Sequence, residues 1–538
     1  MKMIESKGDI LDAKKLSLKQ KVGQLFMPAV FINDSEEEVQ KMEALIRAAN
    51  IGALCFFHSR ASAATNFEGK KKIIHNDNSY ARLVSLIERY QTAAPYPLLI
   101  AIDAEWGLAM RIENTPQYPY AIGLGAIQDQ EGILIELGKK IGEDCKNVGI
   151  HWNLSPVADI NNNPNNPVIG YRSFGDDKTK VYRKAQAFID GMTSVGILNS
   201  LKHFPGHGDT ATDSHLGLPV INKSKAEFLE NEIYPFKKLI DKGVDSVMVG
   251  HLQVPALDDS GNPATTSRTI IDGLLRNQLG FEGVIISDAL NMHAVSKKYT
   301  TKGSLEAKAF DAGMDMMCFS EHPVEGIDEI LKTATPERIQ ESFERVWHLK
   351  RKAMASNPTK FTKSKLDYNE LNTELARFSI TEYYGNESQL DLIKSDSFLN
   401  LSIGKCIGNY FSTAIELNYN AQHHYIDVDN LEEIKKALYK SDNAVLALFP
   451  PAAKPKDQFE IKPELLEFIR DIVQKKNMLI YLFGNPYVSD ILGLNGKSNV
   501  VFAYQCFESF QKVAFEHFSD KLEAKGKLPV QLKFLNKP

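Results

Sequence analysis

Gly283-Val284-Ile285-Ile286-Ser287-Asp288 is an apolar run that opens on a glycine and ends on a carboxylate. Continuous apolar runs of this kind fit strands of a parallel sheet buried on both faces. Working outward, seven further runs share its character: 23–31, 51–57, 97–103, 149–155, 196–203, 244–250 and 313–319. Between them lie stretches such as 34–50, 82–93, 131–147, 180–195, 225–242 and 270–279, with apolar residues at three- and four-residue spacing, the period of an amphipathic helix. This alternation predicts an α/β fold, a (β/α)₈ TIM-like barrel filling residues 1–350.

Composition bounds the remaining choices. The chain has 538 residues, 43% hydrophobic and 24% charged, an ordinary globular mix that is too long for one domain. Its net charge of −5 provides no general attraction for nucleic acid or anionic lipid, so neither is expected as a partner. No apolar run is long enough to span a bilayer, and Met1 to Leu16 is charged throughout, unlike a signal peptide. The five cysteines (Cys55, Cys145, Cys318, Cys406 and Cys506) are odd in number and far apart, which fits reduced thiols. A cytoplasmic protein is expected, or a periplasmic or secreted one whose leader has been removed.

After Lys350 the pattern changes. Residues 351–398 are polar with some helical character and read as a linker. Alternation then resumes with strand-like runs at 399–408, 422–428, 443–450, 478–484 and 499–504. Residues 399–538 are thus expected to form a smaller C-terminal α/β sandwich domain. Neither domain carries a phosphate-binding glycine fingerprint, since Gly123 and Gly125 lack the third glycine and the flanking strand.

Active sites of barrels lie at the carboxyl ends of the strands. The polar residues there are Asp103, Asn153 and Asp159, Lys202 and His203, His251, Asp288, and Ser320. Residues 202–219 stand out: Lys202, His203, His207, Asp209, Asp213 and His215 share one loop punctuated by Gly206 and Gly208. Read from residue types alone, the loop is open to two chemistries. Its imidazoles and carboxylates could ligate metal in a metal-dependent hydrolase, although it has no His-x-His pair and Lys202 would place an ammonium beside the cation. Alternatively, Asp213 orients His215 for proton transfer while Asp288, held rigidly by its strand, acts as a nucleophile across the barrel mouth.

The segment from Lys202 through Thr210, then Asp213-Ser214-His215, together with Ser287-Asp288, resembles the β-N-acetylglucosaminidases of glycoside hydrolase family 3. The similarity extends to the segments 102–107, 153–159 and 171–175, in the family's order, and covers residues 15 to about 350. The resemblance implies a retaining exo-β-N-acetylglucosaminidase, with Asp288 as nucleophile and His215-Asp213 as an acid/base dyad in place of the usual second carboxylate. Asp103, Arg172, Lys202 and His203 are implied as substrate-binding residues. His207 and Asp209 are expected mainly to shape the loop. No metal or cofactor is implied, and the expected partner is an N-acetylglucosamine-containing glycan or muropeptide, as in peptidoglycan recycling. A non-catalytic sugar-binding protein is disfavoured, because Asp288, Asp213 and His215 are all present. Trp106 and Ala289 depart from the commoner pattern, which has a second glycine and an acidic residue at these positions.

Overall fold

The computed structural model describes residues 15–60, 74–210, 217–355, 366–388, 390, 393 and 397–536. Its contacts divide the chain into two compact units, each built from three segments. The first takes Met1–Gln117, Ile135–Asp159 and Ala185–Ser364; the second takes Tyr118–Leu134, Ile160–Lys184 and Lys365–Pro538.

Among its described residues the first unit is a mixed α/β structure with nine short strands: β1 (Phe26–Met27), β2 (Ala29–Phe31), β3 (Ala53–Phe57), β4 (Leu99–Ile102), β5 (Trp152–Asn153), β6 (Leu201–Phe204), β7 (Ser246–Val249), β8 (Val284–Ser287) and β9 (Met317–Cys318). Each of the eight expected runs contains one strand, except that the first holds two. Pro28, which has no N–H to give to a ladder, separates β1 from β2. β4, β6, β7 and β8 are buried at every position, as strands covered on both faces must be.

All pairings in this unit are parallel. They form three ladders, β1-β9, β2-β3-β4-β5 and β6-β7-β8. Isolated parallel bridges link their edges, Trp152 to Leu198 and Val157 to Lys202 on one side, Ile286 to Met316 on the other. The ladders are therefore joined by single bridges where strands are shortest, and the eight-stranded order expected from the sequence is met as three sheets. Parallel pairing within ladders and across bridges sends the carboxyl ends of all nine strands to one rim, where the polar strand-end residues collect.

At the opposite ends of β8 and β9, fully buried Asp315 takes the place of a ladder acceptor. Its carboxylate accepts from the Ile285 amide at 3.0 Å and from Ser342 Oγ at 2.5 Å. It also pairs with Arg276, with Arg345 at 3.2 Å and with Arg338 at 3.6 Å. A buried carboxylate is tolerated only when charged partners and donors surround it.

The second unit carries a six-stranded sheet in the order β10-β15-β14-β13-β11-β12. Its strands are β10 (Thr381–Tyr384), β11 (Leu399–Gly404), β12 (His423–Ile426), β13 (Asn443–Phe449), β14 (Asn477–Leu482) and β15 (Asn499–Phe502). Five strands run parallel in doubly wound order, and β10 closes the β15 edge antiparallel. Leu401, Leu446, Ile480 and Val500 pack with Leu465 and Ile469 of the Pro463–Lys475 helix to form its core.

Two features of this unit differ from the sequence expectation. The segment expected as a linker, 351–398, contributes the Tyr368–Ser379 helix, started by a capping box between Asp367 and Glu370, and then β10. β10 exposes Glu382 and half-buries both tyrosines, so a short, mostly polar edge strand has no apolar run to betray it. Residues 118–134 and 160–184, expected within the barrel, belong to this unit. A Cβ at Gly125 would lie 1.9 Å from the Phe174 carbonyl oxygen and 2.8 Å from Pro529. The Asp176 amide donates to Pro529 at 3.1 Å, and Lys527 to Ala126 at 2.9 Å. Among the described residues no helix is long and apolar enough to cross a membrane.

Replacing Asp315 with Ala leaves its arginines without their shared counter-charge and strands the Ile285 amide. The expected loss is about 3–5 kcal/mol in denaturant unfolding. A variant within 1 kcal/mol of wild type, on the order of a surface change, contradicts the role assigned to this carboxylate.

Candidate active site

Lys202 and His203 are consecutive on β6, and regular strand geometry would send them to opposite faces. The β6–β7 register shifts between Leu201 and Phe204, and both side chains instead reach carboxylates that follow β4 and β5. Lys202 Nζ lies 2.7 Å from Asp103 Oδ1 and 2.7 Å from Glu105 Oε1, with its side chain only 2% exposed. Arg111 Nη2 donates to the other oxygen of Asp103 at 2.9 Å, its guanidinium 5.3 Å above the Phe57 ring. Two cations thus face two carboxylates in a nearly dry cluster. Burial opposes ionisation of Asp103, but Lys202 and Arg111 outweigh it and hold this carboxyl well below the usual range.

Behind Asp103, buried Asn153 grips the Ala104 backbone at both ends. Its Oδ1 accepts from the Ala104 amide at 3.0 Å and its Nδ2 donates to the Ala104 carbonyl at 3.1 Å. The polar residue at the end of β5 therefore fixes the turn that presents Asp103 and Glu105.

Asp159 organises the start of the glycine-punctuated loop. Where the β6 backbone leaves its ladder, this fully buried carboxylate accepts from the His203 amide at 3.1 Å and the His207 amide at 2.7 Å. It also meets His203 Nδ1 at 2.8 Å. Burial would raise its pKa, but the His203 imidazole, then the His207 ring and amide, lower it. His207 Nδ1 is engaged by Thr210 Oγ1 at 2.8 Å, and Lys223 links Asp209 at 3.0 Å to Glu232 at 2.6 Å. Both groups are bound up in the loop's own framework. Among the described residues no group of three histidine, cysteine or acidic side chains is arranged to hold a metal ion.

Asp288 follows β8 on the same rim and is half-buried. Its amide donates to the Val249 carbonyl at 2.9 Å, anchoring the backbone to β7, and its Oδ1 accepts from the Ala289 amide at 2.8 Å. The carbonyl of Ala289 accepts from Nε2 of buried His251 at 2.9 Å, whose Nδ1 meets Thr265 Oγ1 at 3.0 Å. The residue whose amide orients Asp288 is therefore held through its carbonyl as well. Ser287 Oγ accepts from the Cys318 amide at 3.0 Å, tying the end of β8 to β9.

Asp103, Lys202, His203 and Asp288 thus all stand on the strand-end rim of the first unit. Arg172 belongs to the second unit, in the turn Gly170–Arg172, where Nη1 donates to Val168 at 3.4 Å. Asp213 and His215 lie outside the described residues. Sequence reasoning named Asp159 and His251 only as polar residues at the strand-end rim and gave no role to Glu105 or Arg111. Glu105 sits inside a segment already singled out, whereas nothing in the sequence marks Arg111.

His207 carries a testable signature. Burial, then the neighbouring His203, lowers its pKa from 6.5 to about 4. Between these values the unfolded chain binds a proton that the folded chain refuses. This contribution to stability is complete above about 6.5 and is lost as pH falls towards about 4. His207→Gln is expected to flatten the pH dependence of the unfolding free energy in that window, and an unchanged slope contradicts the assignment.

The N terminal domain of glycosyl hydrolase family 3 matches residues 17–349. Among curated relatives, beta-hexosaminidase A of Pseudoalteromonas piscicida is 35% identical over 261 residues, 45% of this chain and 44% of the relative. The chain's match therefore spans less than half of that relative's length. A beta-hexosaminidase of Hydrogenovibrio crunogenus is 33% identical over 297 residues, covering 53% of this chain and 81% of the relative. Among solved structures, a family 3 β-N-acetylglucosaminidase from Paenibacillus sp. str. FPU-7 superposes with a TM-score of 0.76 at 25% identity, over 96% of this chain and 99% of that one. A beta-glucoside phosphorylase shares the fold with a TM-score of 0.77 at 22% identity, over 98% and 97% of the two chains. With the family domain covering well over half of its length, the chain belongs to glycosyl hydrolase family 3, a family of glycoside hydrolases.

Proposed function

We propose that the protein is a retaining exo-β-N-acetylglucosaminidase that uses Asp288 as its nucleophile. The observation that carries this reading is the fixed Asp288 carboxylate, on the same rim as a buried Lys202 flanked by Asp103 and Glu105. Dense charge-assisted hydrogen bonding of that kind suits the hydroxyls of one terminal sugar. The succession of parallel ladders and bridges supports a (β/α)₈ barrel as the scaffold. The name beta-hexosaminidase on several relatives supports terminal N-acetylglucosamine as the sugar released. Peptidoglycan fragments as its source are proposed from family resemblance alone.

In this reading Asp288 attacks the anomeric carbon as the bond to the leaving oxygen breaks, and His215 gives that oxygen its proton. The covalent glycosyl-enzyme is then opened by water, whose proton returns to His215, freeing Asp288. Asp213 orients His215 and stabilises its charged form. Asp103, Lys202 and His203 hold the sugar hydroxyls, and Arg172 is assigned a further donor role by resemblance. His251 acts through the Ala289 peptide as a positioning residue.

Asp288→Asn is expected to lower kcat on an aryl β-N-acetylglucosaminide by roughly 10⁴-fold or more. His215→Ala should slow poor leaving groups far more than good ones, because only the former need a proton. Near-wild-type turnover by the Asp288 variant would overturn the nucleophile assignment. Dialysis against EDTA is expected to leave activity unchanged, and a loss restored by added metal would favour the metal-dependent hydrolase instead.

A further inference from the structure

Between the segments 153–159 and 171–175 lies Asn161-Asn162-Asn163-Pro164-Asn165-Asn166, a run that the proposed reaction does not use. It belongs to the second unit. Its asparagines bond the backbone around them, the habit that makes this residue a former of tight turns. Asn163 Oδ1 accepts from the Asn165 amide at 2.9 Å, and Asn166 Oδ1 accepts from the Val168 and Ile169 amides at 2.9 and 2.8 Å. Asn161 donates through Nδ2 to the Gly170 carbonyl and to the Tyr487 hydroxyl oxygen, both at 3.3 Å. A second stretch of the same unit, residues 531–533, is fixed by its backbone. The Gln531 amide donates to Asp176 Oδ2 and the Lys533 amide to Asp490 Oδ1, each at 2.7 Å. These two stretches, with Asp176 and Tyr487, line a cavity of about 350 Å³, at the small end of ligand pockets.

Three polar groups on the walls of this cavity have bonding capacity left over. Asn161 keeps its Oδ1 buried and without a hydrogen-bond partner among the described residues. Turning its amide over is no remedy, since that would set Oδ1 against the Gly170 carbonyl oxygen. The Tyr487 hydroxyl accepts from Asn161, and its own proton has no acceptor among the described residues. Burial outweighs the amides that Asp176 accepts from and raises its pKa, so this carboxylate gains from further donors.

We propose that the cavity is a carbohydrate site of the second unit, additional to the rim of the first, which takes one neutral hexopyranose unit of a glycan. The lining selects that chemistry by elimination. An anion would meet the Asp176 carboxylate, a cation would meet the Lys533 ammonium in a space far wider than one ion, and an apolar ligand would strip water from Asn161, Asp176 and Tyr487. A sugar hydroxyl both donates and accepts. Hydroxyls on adjacent carbons donate to Asp176 and, directly or through one water, to Asn161 Oδ1, and they accept from Tyr487 and from the Gln531 side-chain amide. Pro164 and Leu532 offer apolar surface to the C–H groups of the ring. The backbone bonds of both stretches hold the walls in place before a ligand arrives, which lowers the entropy that binding costs.

The test irradiates the full-length chain with a diazirine derivative of N-acetylglucosamine and maps the labelled peptides by mass spectrometry. Label is expected on the peptides carrying residues 161–176 or 529–536, and excess free N-acetylglucosamine should displace it. This readout needs no turnover, so it stands whether or not Asp288 is the nucleophile. Tyr487→Phe keeps the ring and removes the donor, while Asp176→Asn keeps an acceptor for the Gln531 amide and removes the charge. Each is expected to lower labelling of these peptides by about tenfold, the cost of one hydrogen bond in a site of this kind. Labelling no greater than with a sugar-free diazirine, label that free N-acetylglucosamine does not displace, displacement by calcium chloride or inorganic phosphate in its place, or full labelling in both variants would overturn the proposal.

Discussion

Lys202 is a cation with almost no access to water, and an ammonium in that position is stable only if carboxylates come to it. Much of the rim of the first unit can be understood as the answer to that requirement. Asp103 and Glu105 reach it from the turn after β4, Asn153 fixes that turn from the end of β5, and Arg111 balances the second carboxylate charge. The same groups that satisfy one another in the folded chain are the ones suited to sugar hydroxyls. In the proposed function, stability and recognition would draw on one set of contacts.

One residue further along, Asp159 solves a related problem. The β6 strand stops pairing regularly just as it reaches the rim, which would leave buried amides without acceptors. The Asp159 carboxylate takes both the His203 and His207 amides and so sets the path on which the loop leaves the strand. Asp288 is treated in the same way by different means, through the Ala289 peptide and buried His251. The start of the loop and Asp288 are each held by a buried polar group.

The strands were most legible where they are long and apolar. The run ending at Asp288 and its neighbour β7 are found where their residues predict them, and the polar residues at the strand ends do converge on one rim. The runs around β5 and β9 shrink to two residues each, since apolar character marks burial but not how many amides find a ladder partner. The assignment of residues 118–134 and 160–184 to the second unit was not legible. It rests on backbone approaches at Gly125 and Gly175 to Phe174 and Pro529, and a glycine states that something is close without saying what. Within the candidate site, the rim positions of Asp103, Lys202, His203 and Asp288 were readable from motif and strand end. Arg111 was not, because its role depends on a chain reversal between it and Asp103 that no local pattern announces.

The central claim is that Asp288 forms a bond to the sugar. Rapid-quench mass spectrometry of the wild-type chain during turnover of an activated aryl β-N-acetylglucosaminide tests it most directly. The account predicts a transient adduct of one N-acetylhexosamine on the peptide carrying Asp288, decaying at the rate of turnover. Product formation without any adduct, or an adduct on another side chain such as Asp103, would contradict it.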